Sequence, residues 1–193
     1  MIRLMIIIGI VGDIGSGKSY VAKQFGYPVF NADNEVTKIY KNSKYCFRKL
    51  KDKLPKYIKS FPVNKTELMN AILANKKNIY KVNRIVHPLV RKQMNLFLFK
   101  NKKKKFVILD IPLLLENKIY KKNFFLVFIQ AKKSDISKRI KKRKNFNKKL
   151  FSKLKKIQLP LDYKKKKSNF IIKNNYTKKN IKKDIQNILS KIS

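Results

Sequence analysis

The sequence predicts an α/β fold in which helices cover both faces of a central parallel sheet. Two observations support this prediction. Short apolar runs, each long enough for one strand, alternate with segments of helical periodicity, and the first run leads directly into a glycine-rich turn. With 193 residues, of which 44% are hydrophobic, the chain is long enough for one three-layer domain with a buried core.

Five apolar runs are predicted to be the strands of this sheet, linked by right-handed crossovers. The first run is bounded by glycine, and the helix after it is expected to end near Gly26, a typical helix stop. The second run closes with the polar Asn31-Ala32-Asp33, and the third ends at Asp110. In such sheets ligands bind at the carboxyl ends of the strands, where these polar residues fall. The predicted strands are residues 5–11, 27–31, 106–109, 124–129 and 170–172.

The segment between about residues 35 and 100 is predicted to be helical. Asn64, followed three residues later by Glu67, resembles a capping box at a helix start. Pro88 suits the first turn of a further helix. The last predicted helix of the chain places four isoleucines on one side, namely Ile181, Ile185, Ile188 and Ile192.

The formal net charge of +40 is carried mainly by lysine, with 44 lysines and six arginines among the 50 basic residues. One interpretation is a partner rich in phosphate, either a nucleic acid or a polyphosphorylated small molecule. The other is compositional drift, since lysine, asparagine and isoleucine abound together. The basic residues are dispersed over most of the chain after residue 38, whereas nucleic-acid binders more often concentrate them on one face. The dispersion favours drift, and no specific nucleic-acid partner is expected.

Cysteine, histidine and hydropathy exclude several further classes. Cys46 is the only cysteine and His87 the only histidine, so neither an intrachain disulfide nor a zinc site is expected. The apolar run at the start is short, lacks a small-residue cleavage site and leads into the glycine turn, which favours a strand over a signal peptide. No stretch approaches the ~20 apolar residues of a membrane span. The sequence therefore predicts a cytoplasmic protein without a membrane partner.

The glycine-rich turn at residues 12–19, GDIGSGKS, fits the phosphate-loop pattern G-x-x-x-x-G-K-[ST]. Glycines let successive backbone N–H groups point inward at phosphate oxygens, and the helix start adds further donors. In such a loop Lys18 would bridge the β- and γ-phosphates and Ser19 would ligate Mg²⁺. The alternative is a turn that merely joins strand to helix, but four of the five glycines in the chain fall within nine residues here. The predicted nucleotide contacts in this region are Gly15, Ser16, Gly17, Lys18, Ser19 and Tyr20.

Further motifs occur along nearly the whole chain. Residues 82–91, VNRIVHPLVR, contain a His-Pro junction, and residues 110–116 read DIPLLLE. Asn31-Ala32-Asp33 follows the loop by about a dozen residues, residues 139–143 read RIKKR, and residues 168–174 read SNFIIKN. Together with the loop, and in this order, these motifs resemble the dephospho-CoA kinase family, which the His-Pro junction and the D-x-P-L-L-x-E segment single out. The last of the motifs is only weakly similar.

This resemblance implies a three-layer P-loop NTPase fold with a central parallel five-stranded sheet. The core would comprise residues 1–34 and 104–193, with a helical CoA-binding insertion at about 35–103 and a lid at about 136–160. The resemblance also implies ATP as donor, with Mg²⁺, and the ribose 3′-hydroxyl of dephospho-CoA as acceptor, which is the last step of coenzyme A biosynthesis. We expect a monomer or a weak homo-oligomer.

The strand-end residues are expected to carry the chemistry, with Lys18 and Asp33 as catalytic groups. Asp33 would act on or orient the acceptor hydroxyl, the alternative being a helix N-cap. Asn31 departs from the family, which has aspartate there, and an amide cannot accept a proton at neutral pH. Our hypothesis is that Asn31 still hydrogen-bonds the ribose while Asp33 supplies the carboxylate. Asp110 is expected to hold Mg²⁺, or else to be structural, and Glu116 to be the partner of a lysine or a backbone donor.

Three arginines and the histidine are further candidates. Arg139 and Arg143 lie four apart on a predicted helix and would share one face, with Arg139 catalytic and Arg143 binding the nucleotide. A solvated basic helix is the alternative. Arg91 is expected to reach the phosphates of the acceptor. His87 would contact the acceptor nucleotide, or would simply cap a helix or satisfy a buried carbonyl.

Two departures and two other functions complete the analysis. Asp13 replaces a glycine usual in the family loop, and Tyr20 replaces a usual threonine, but neither touches the Gly17-Lys18-Ser19 sequence. A different small P-loop kinase, acting on a nucleoside or its monophosphate, would share the loop and the lid. An ATPase that depends on nucleic acid would explain the charge, but no RNA-binding signature or helix-turn-helix spacing supports it.

Overall fold

The computed structural model describes residues 5–142, 146–175 and 177–193. Within them the chain forms five strands in one sheet, all parallel, in the order β2-β3-β1-β4-β5. The predicted α/β fold with a five-stranded parallel sheet is confirmed, and each predicted strand is present with bounds shifted by one or two residues. The strands are β1 (Ile6–Gly12), β2 (Val29–Asn31), β3 (Phe106–Asp110), β4 (Phe124–Gln130) and β5 (Phe170–Lys173).

The chain divides into two units by its internal contacts. The sheet unit comprises Met1–Asn31 and Asn101–Ser193, and the helical unit comprises Ala32–Lys100. In chain order the helices of the described residues are α1 (Lys18–Gln24), α2 (Ala32–Asn42), α3 (Lys44–Lys53), α4 (Lys65–Ala74), α5 (Lys77–Lys100), α6 (Lys133–Lys141), α7 (Lys148–Lys156), α8 (Leu161–Lys166) and α9 (Lys178–Lys191). None of these helices is long and apolar enough to cross a bilayer.

The core of the sheet unit lies where α1 and α9 pack on the sheet. β1 is the central strand, and its Ile8 and Ile10 are completely buried because β3 and β4 flank it on either side. Fully burying one such side chain stabilises the fold by roughly 1.5–3 kcal/mol. The isoleucine stripe predicted for the last helix is confirmed, since all four of its residues join this core: Ile181, Ile185, Ile188 and Ile192.

The longest helix of the helical unit corrects one prediction. Pro88 lies in the interior of the 24-residue α5, eleven residues after its start at Lys77, and not in the first turn of a helix. An interior proline removes one backbone hydrogen bond and costs about 3 kcal/mol in helix stability. A buried stripe at four-residue spacing, which packs on α2, α3 and α4, runs along the helix through this point. Its burial offsets the local penalty, and its members are Asn78, Val82, Val86, Val90 and Met94.

The start of α4 matches half of the predicted capping box. The Asn64 side chain is the N-cap and accepts a hydrogen bond from Thr66 N at 2.7 Å. The Glu67 carboxylate turns instead to the preceding loop, where it accepts from Lys59 N at 3.0 Å and from Ser60 Oγ at 3.0 Å. The backbone hydrogen bond from Lys59 is the main reason that the pKa of Glu67 lies below its ordinary value. This glutamate closes the loop rather than the helix end.

Candidate active site

The glycines of the loop between β1 and α1 hold conformations that L-residues rarely adopt. Gly15 has φ 85° and Gly17 has φ 89°, and both lie in the left-handed region. A Cβ on Gly12 would stand 2.7 Å from the carbonyl oxygen of Ile129 on β4. The backbone can follow this path only because these positions lack side chains. Gly17 is also the N-cap of α1 and provides no side-chain cap, so the first-turn amides remain available to a ligand.

Ser16 sits at the centre of this loop and is completely buried. Its carbonyl accepts a hydrogen bond from Asn174 Nδ2 at 2.8 Å, and its N–H donates to Asp13 O at 3.2 Å. Within the described residues its Oγ has no hydrogen-bond partner. A buried hydroxyl without a partner costs about 1–3 kcal/mol, so the protein retains an unfavourable group inside the loop. A phosphate bound in the loop would remove that penalty only after the loop had rearranged, because the hydroxyl has no exposed surface for a ligand to reach.

Lys18 folds back over the base of the loop. Its Nζ donates to Asp13 O at 2.8 Å and lies 3.4 Å from Gly12 O. The side chain is half-buried, and Ser19 beside it is exposed. Tyr20 packs its side chain against the core cluster and leaves its first-turn N–H as the group that a nucleotide could use.

The ends of β2 and β3 bring Asn31 and Asp110 together. These residues are register partners, and Asn31 Nδ2 donates to Asp110 Oδ2 at 2.5 Å. Asp110 is only 2% exposed, so its carboxylate depends on such donors. An aspartate at position 31 would set two carboxylates against each other at this point. The contact therefore gives a physical reason for the amide, which supplies a hydrogen where the family has a second acid.

The donor set at this edge suits Mg²⁺. One carboxylate, from Asp110, and one hydroxyl, from Ser19, are hard oxygen ligands of the kind that Mg²⁺ takes in small number, with phosphates and water completing its shell. No group of three or more His, Cys, Asp or Glu that could hold a metal ion exists within the described residues. A metal ion at this edge would therefore depend on the nucleotide for most of its ligands.

Asp33 belongs to the helical unit and lies in the first turn of α2. The helix begins at Ala32, so Asp33 is inside the helix and the alternative of an N-cap is wrong. Its side chain is exposed, and its carbonyl accepts a hydrogen bond from Thr37 Oγ1 at 2.9 Å. Acidic residues in the first turn complement the positive end of a helix.

A cavity of about 530 Å³ lies along one side of α5 in the helical unit. This volume is in the range of small-molecule sites. It brings together two of the predicted residues, His87 and Arg91, and the described residues that line it are His87, Pro88, Arg91, Lys92, Asn95 and Leu96. Burial, and to a lesser degree the charge of Arg91, lowers the pKa of His87 below its ordinary value of 6.5, so the imidazole is neutral at pH 7. Because His87 lies within α5, the alternative that it caps a helix is wrong.

The two lid arginines are described unequally. Arg139 is exposed on α6, in its last turn. Arg143 lies outside the described residues, so the face that the two were predicted to share stays a prediction. Helix α7 of the predicted lid has no buried residue, although Leu150, Phe151 and Leu154 are partly covered.

A buried ion pair beside the loop confirms the prediction for Glu116. Lys164 Nζ lies 2.6 Å from Glu116 Oε1, and the two side chains are 3% and 9% exposed. The same oxygen accepts a hydrogen bond from Leu159 N at 3.1 Å. The segment between Asp110 and this pair holds Leu113 at φ 60°, a strained conformation for a leucine that costs of the order of 1–2 kcal/mol.

Sequence reasoning missed Lys164 and Asn174 as members of the site. Lys164 is one of 44 lysines and stands in a run of four, so nothing in its neighbourhood marks it. Its one signal is the apolar Leu161 three residues before it, since both could turn inward on a short helix. Asn174 ends the weakest of the quoted motifs, directly after β5, and strand ends are where such sheets place ligand-side groups.

Known proteins resemble this chain over nearly its whole length. The family model for dephospho-CoA kinase matches residues 6–180. A dephospho-CoA kinase of Wolbachia pipientis is 31% identical over 97% of this chain and 98% of its own length. One from Bartonella quintana is 32% identical over 95% of this chain and 92% of its own length. A crystal structure from Thermus thermophilus has a TM-score of 0.81 at 24% identity, covering 98% of this chain and 99% of the other, and shares the fold. On the family match and these identities, this chain belongs to the dephospho-CoA kinase family.

Proposed function

We propose that this chain transfers the γ-phosphoryl group of ATP to the ribose 3′-hydroxyl of dephospho-CoA, which yields coenzyme A. Family membership supports ATP-dependent phosphorylation of dephospho-CoA as the reaction. The observation that best supports binding of ATP, the phosphoryl donor, is the loop itself. Its left-handed glycines surround a completely buried Ser16 hydroxyl that has no partner in the described chain.

On the donor side, the amides of Gly15 and Gly17 and the first-turn N–H groups at Ser19 and Tyr20 would cradle the phosphates, and the Ser16 amide would join them by giving up its hydrogen bond to Asp13 O. The Lys18 ammonium would exchange its loop carbonyls for the β- and γ-phosphate oxygens. This exchange is inexpensive because the carbonyls are neutral, whereas the phosphates carry charge and make stronger hydrogen bonds. Ser19 and Asp110 would hold Mg²⁺. The ion neutralises charge on the phosphates when it is bound.

On the acceptor side, Asn31 and Asp33 are the residues that we expect to act on the ribose. The Asn31 amide donates one hydrogen to Asp110, and an amide can also accept a hydrogen bond from a hydroxyl through its carbonyl oxygen. Asp33 would supply the carboxylate that orients this hydroxyl. Phosphoryl transfer passes through a loose transition state, so positioning and charge neutralisation outweigh the strength of a base. An amide at position 31 is compatible with that chemistry.

The cavity on α5 would hold part of dephospho-CoA. A neutral His87 imidazole can both donate and accept hydrogen bonds to a nucleotide, and Arg91 offers a planar fork that suits phosphate oxygens. We assign the helical insertion at about 35–103 to CoA binding on this basis. Arg139, with Arg143, would contribute positive charge from the lid. The cytoplasmic location, the monomeric or weakly associating state and the absence of a nucleic-acid partner stay predictions from the sequence.

The test is direct. Purified protein is incubated with ATP, Mg²⁺ and dephospho-CoA, and the product is identified by mass, while release of ADP is compared for AMP, CMP and uridine as acceptors. Gain of one phosphoryl group by dephospho-CoA is the expected result. Turnover on a nucleoside or its monophosphate, with none on dephospho-CoA, would contradict the proposal. ATP hydrolysis stimulated by DNA or RNA would point to the charge-based alternative.

A further inference from the structure

The ion pair of Glu116 and Lys164 shares a cavity with the phosphate loop. A small void of about 10 Å³, the size of roughly one water molecule, is lined by both members of the pair and by Gly12 and Lys18. A carboxylate and two lysines therefore border one small space inside the sheet unit. Because the local dielectric is low, the charges in this space act on one another more strongly than they would in water.

The position of the carboxylate is fixed from two sides. Glu116 Oε1 accepts from Leu159 N at 3.1 Å and lies 2.6 Å from Lys164 Nζ. Lys164 is itself anchored in α8, where its N–H donates to Pro160 O and its carbonyl accepts from Ser168 Oγ at 2.8 Å. With only 9% of its side chain exposed, Glu116 has little access to solvent and must be neutralised by protein.

An uncompensated carboxylate at this place would weaken nucleotide binding by the loop. Lys18 lines the same void, and its Nζ is held by neutral carbonyls of Asp13 and Gly12. An uncompensated Glu116 would attract that ammonium more strongly than the carbonyls do, and it would repel a triphosphate. Both effects weaken nucleotide binding without any contact between Glu116 and the nucleotide.

We propose that Lys164 is a positioning residue for ATP: by neutralising Glu116, it keeps that carboxylate from competing with the triphosphate for Lys18. This inference rests on the proposed role of Lys18 as the phosphate-binding lysine. It goes further in assigning a purpose to one buried lysine among many exposed ones. It also makes the two partners unequal, since removing Lys164 exposes a negative charge to the loop and removing Glu116 does not.

This difference between removing Lys164 and removing Glu116 can be tested. Lys164→Met, Glu116→Gln and the double variant are prepared, with Lys165→Met as a control that removes an exposed charge from the same helix. ATP–Mg²⁺ dissociation constants are measured by calorimetry, and thermal unfolding is followed in parallel. We expect both single variants to lose stability, because each leaves a buried charge unpaired. Only Lys164→Met should raise the ATP dissociation constant, by about tenfold or about 1.4 kcal/mol.

The double variant should bind ATP within about threefold of the wild type, or about 0.7 kcal/mol, since no carboxylate is left to compete. If Glu116→Gln and Lys164→Met weakened ATP binding equally, the ion pair would have only a structural role and the proposal would be overturned. Unchanged ATP binding in Lys164→Met would also overturn it. If Lys164→Met does not fold, Lys164→Gln replaces it, because the amide keeps a hydrogen bond to Glu116 without the charge. Failure of wild-type protein to bind ATP would instead contradict the function itself.

Discussion

The strand-end edge of the sheet unit and the cavity of the helical unit are built in opposite ways. At the edge, glycine backbone, the buried Asp110 and the enclosed pair of Glu116 and Lys164 fix each group from several directions. On α5 a single helix presents the lining, and Arg91 is exposed to solvent. A site made of backbone and buried charge tolerates little change, whereas one made of exposed side chains can lose a contact and keep its fold. Substitutions of the buried groups at the edge should therefore alter stability, ATP binding or both, whereas substitutions of exposed lining residues on α5 should alter acceptor binding alone.

The largest effect is expected for Lys18→Ala. Loss of the ammonium removes a charged hydrogen bond to the transferring phosphate, and removal of one such donor from a preorganised site typically costs 10²–10³-fold in rate. We expect kcat/KM to fall by about 10³-fold with little change in stability, as measured by coupled ADP release and thermal unfolding. Lys23→Ala, at an exposed position of the same helix, is the control and should retain full activity. Intact turnover in Lys18→Ala would remove the basis for the whole site.

Arg91→Ala tests the other region. A hydrogen bond to a charged group contributes about 1.5–3 kcal/mol, so the KM for dephospho-CoA should rise by about 10–100-fold. The KM for ATP and the melting temperature should stay unchanged, because the side chain is exposed and lies on the helical unit. Arg84→Ala, exposed on the same helix but outside the cavity lining, is the matched control. If Arg91→Ala changed the KM for ATP as much as the KM for dephospho-CoA, the proposed distinction between the sheet edge and α5 would be wrong.

Asn31→Asp asks whether the edge can accept the acid that is usual in the family. The new carboxylate would face Asp110 across the 2.5 Å contact and replace attraction by repulsion. We expect a loss of roughly 1–3 kcal/mol in the free energy of unfolding, measured by chemical denaturation, and a rate gain of less than about tenfold, well below the 10²–10⁴ of a typical general base. Asn31→Ala separates loss of the hydrogen bond from added charge. A larger gain in rate would mean that the amide handicaps catalysis.

Ser16→Ala should stabilise the protein while weakening its function. Deleting a buried hydroxyl that has no partner among the described residues removes its desolvation penalty, so the free energy of unfolding should rise by about 1 kcal/mol. If a phosphate is the missing partner, the ATP dissociation constant should rise by about fivefold, which corresponds to a similar energy. Ser137→Ala, at an exposed position of α6, should change neither quantity. A stabilised variant with unaltered ATP affinity would show that the hydroxyl does not meet the nucleotide.

The smallest effect concerns pH and the region on α5. The pKa of His87 is lowered in the folded protein, so the unfolded chain binds more protons as pH falls below 6.5, the ordinary value. The contribution of His87 to stability is therefore complete above pH 6.5 and declines as pH falls through the lower, folded pKa. Denaturation curves at pH 7.5 and at about pH 5 should show this decline, and His87→Gln should lack it. The same slope in both proteins would mean that His87 is not responsible.

The sequence predicted the parts of this molecule that depend on local rules. Strand positions, the glycine loop and the isoleucine stripe of α9 follow from periodicity and backbone sterics, which act over a few residues. Pro88 was misplaced because tertiary packing of the α5 stripe overrides a local preference. The burial of Lys164 could not be predicted from the sequence, because it depends on Glu116, which lies far away along the chain. Asn31 stood out as a departure, but its partner Asp110 emerged only from the register of β2 and β3.

The hydrogen bond from Asn174 to the carbonyl of Ser16 joins two residues that lie 158 positions apart in the sequence. The glycine loop is translated before α1, whereas Asn174, whose side chain holds the loop, is translated only after β5. A nascent chain therefore contains the whole glycine loop long before it contains Asn174. The loop can therefore reach its final hydrogen-bonded conformation only after β5 has been synthesised.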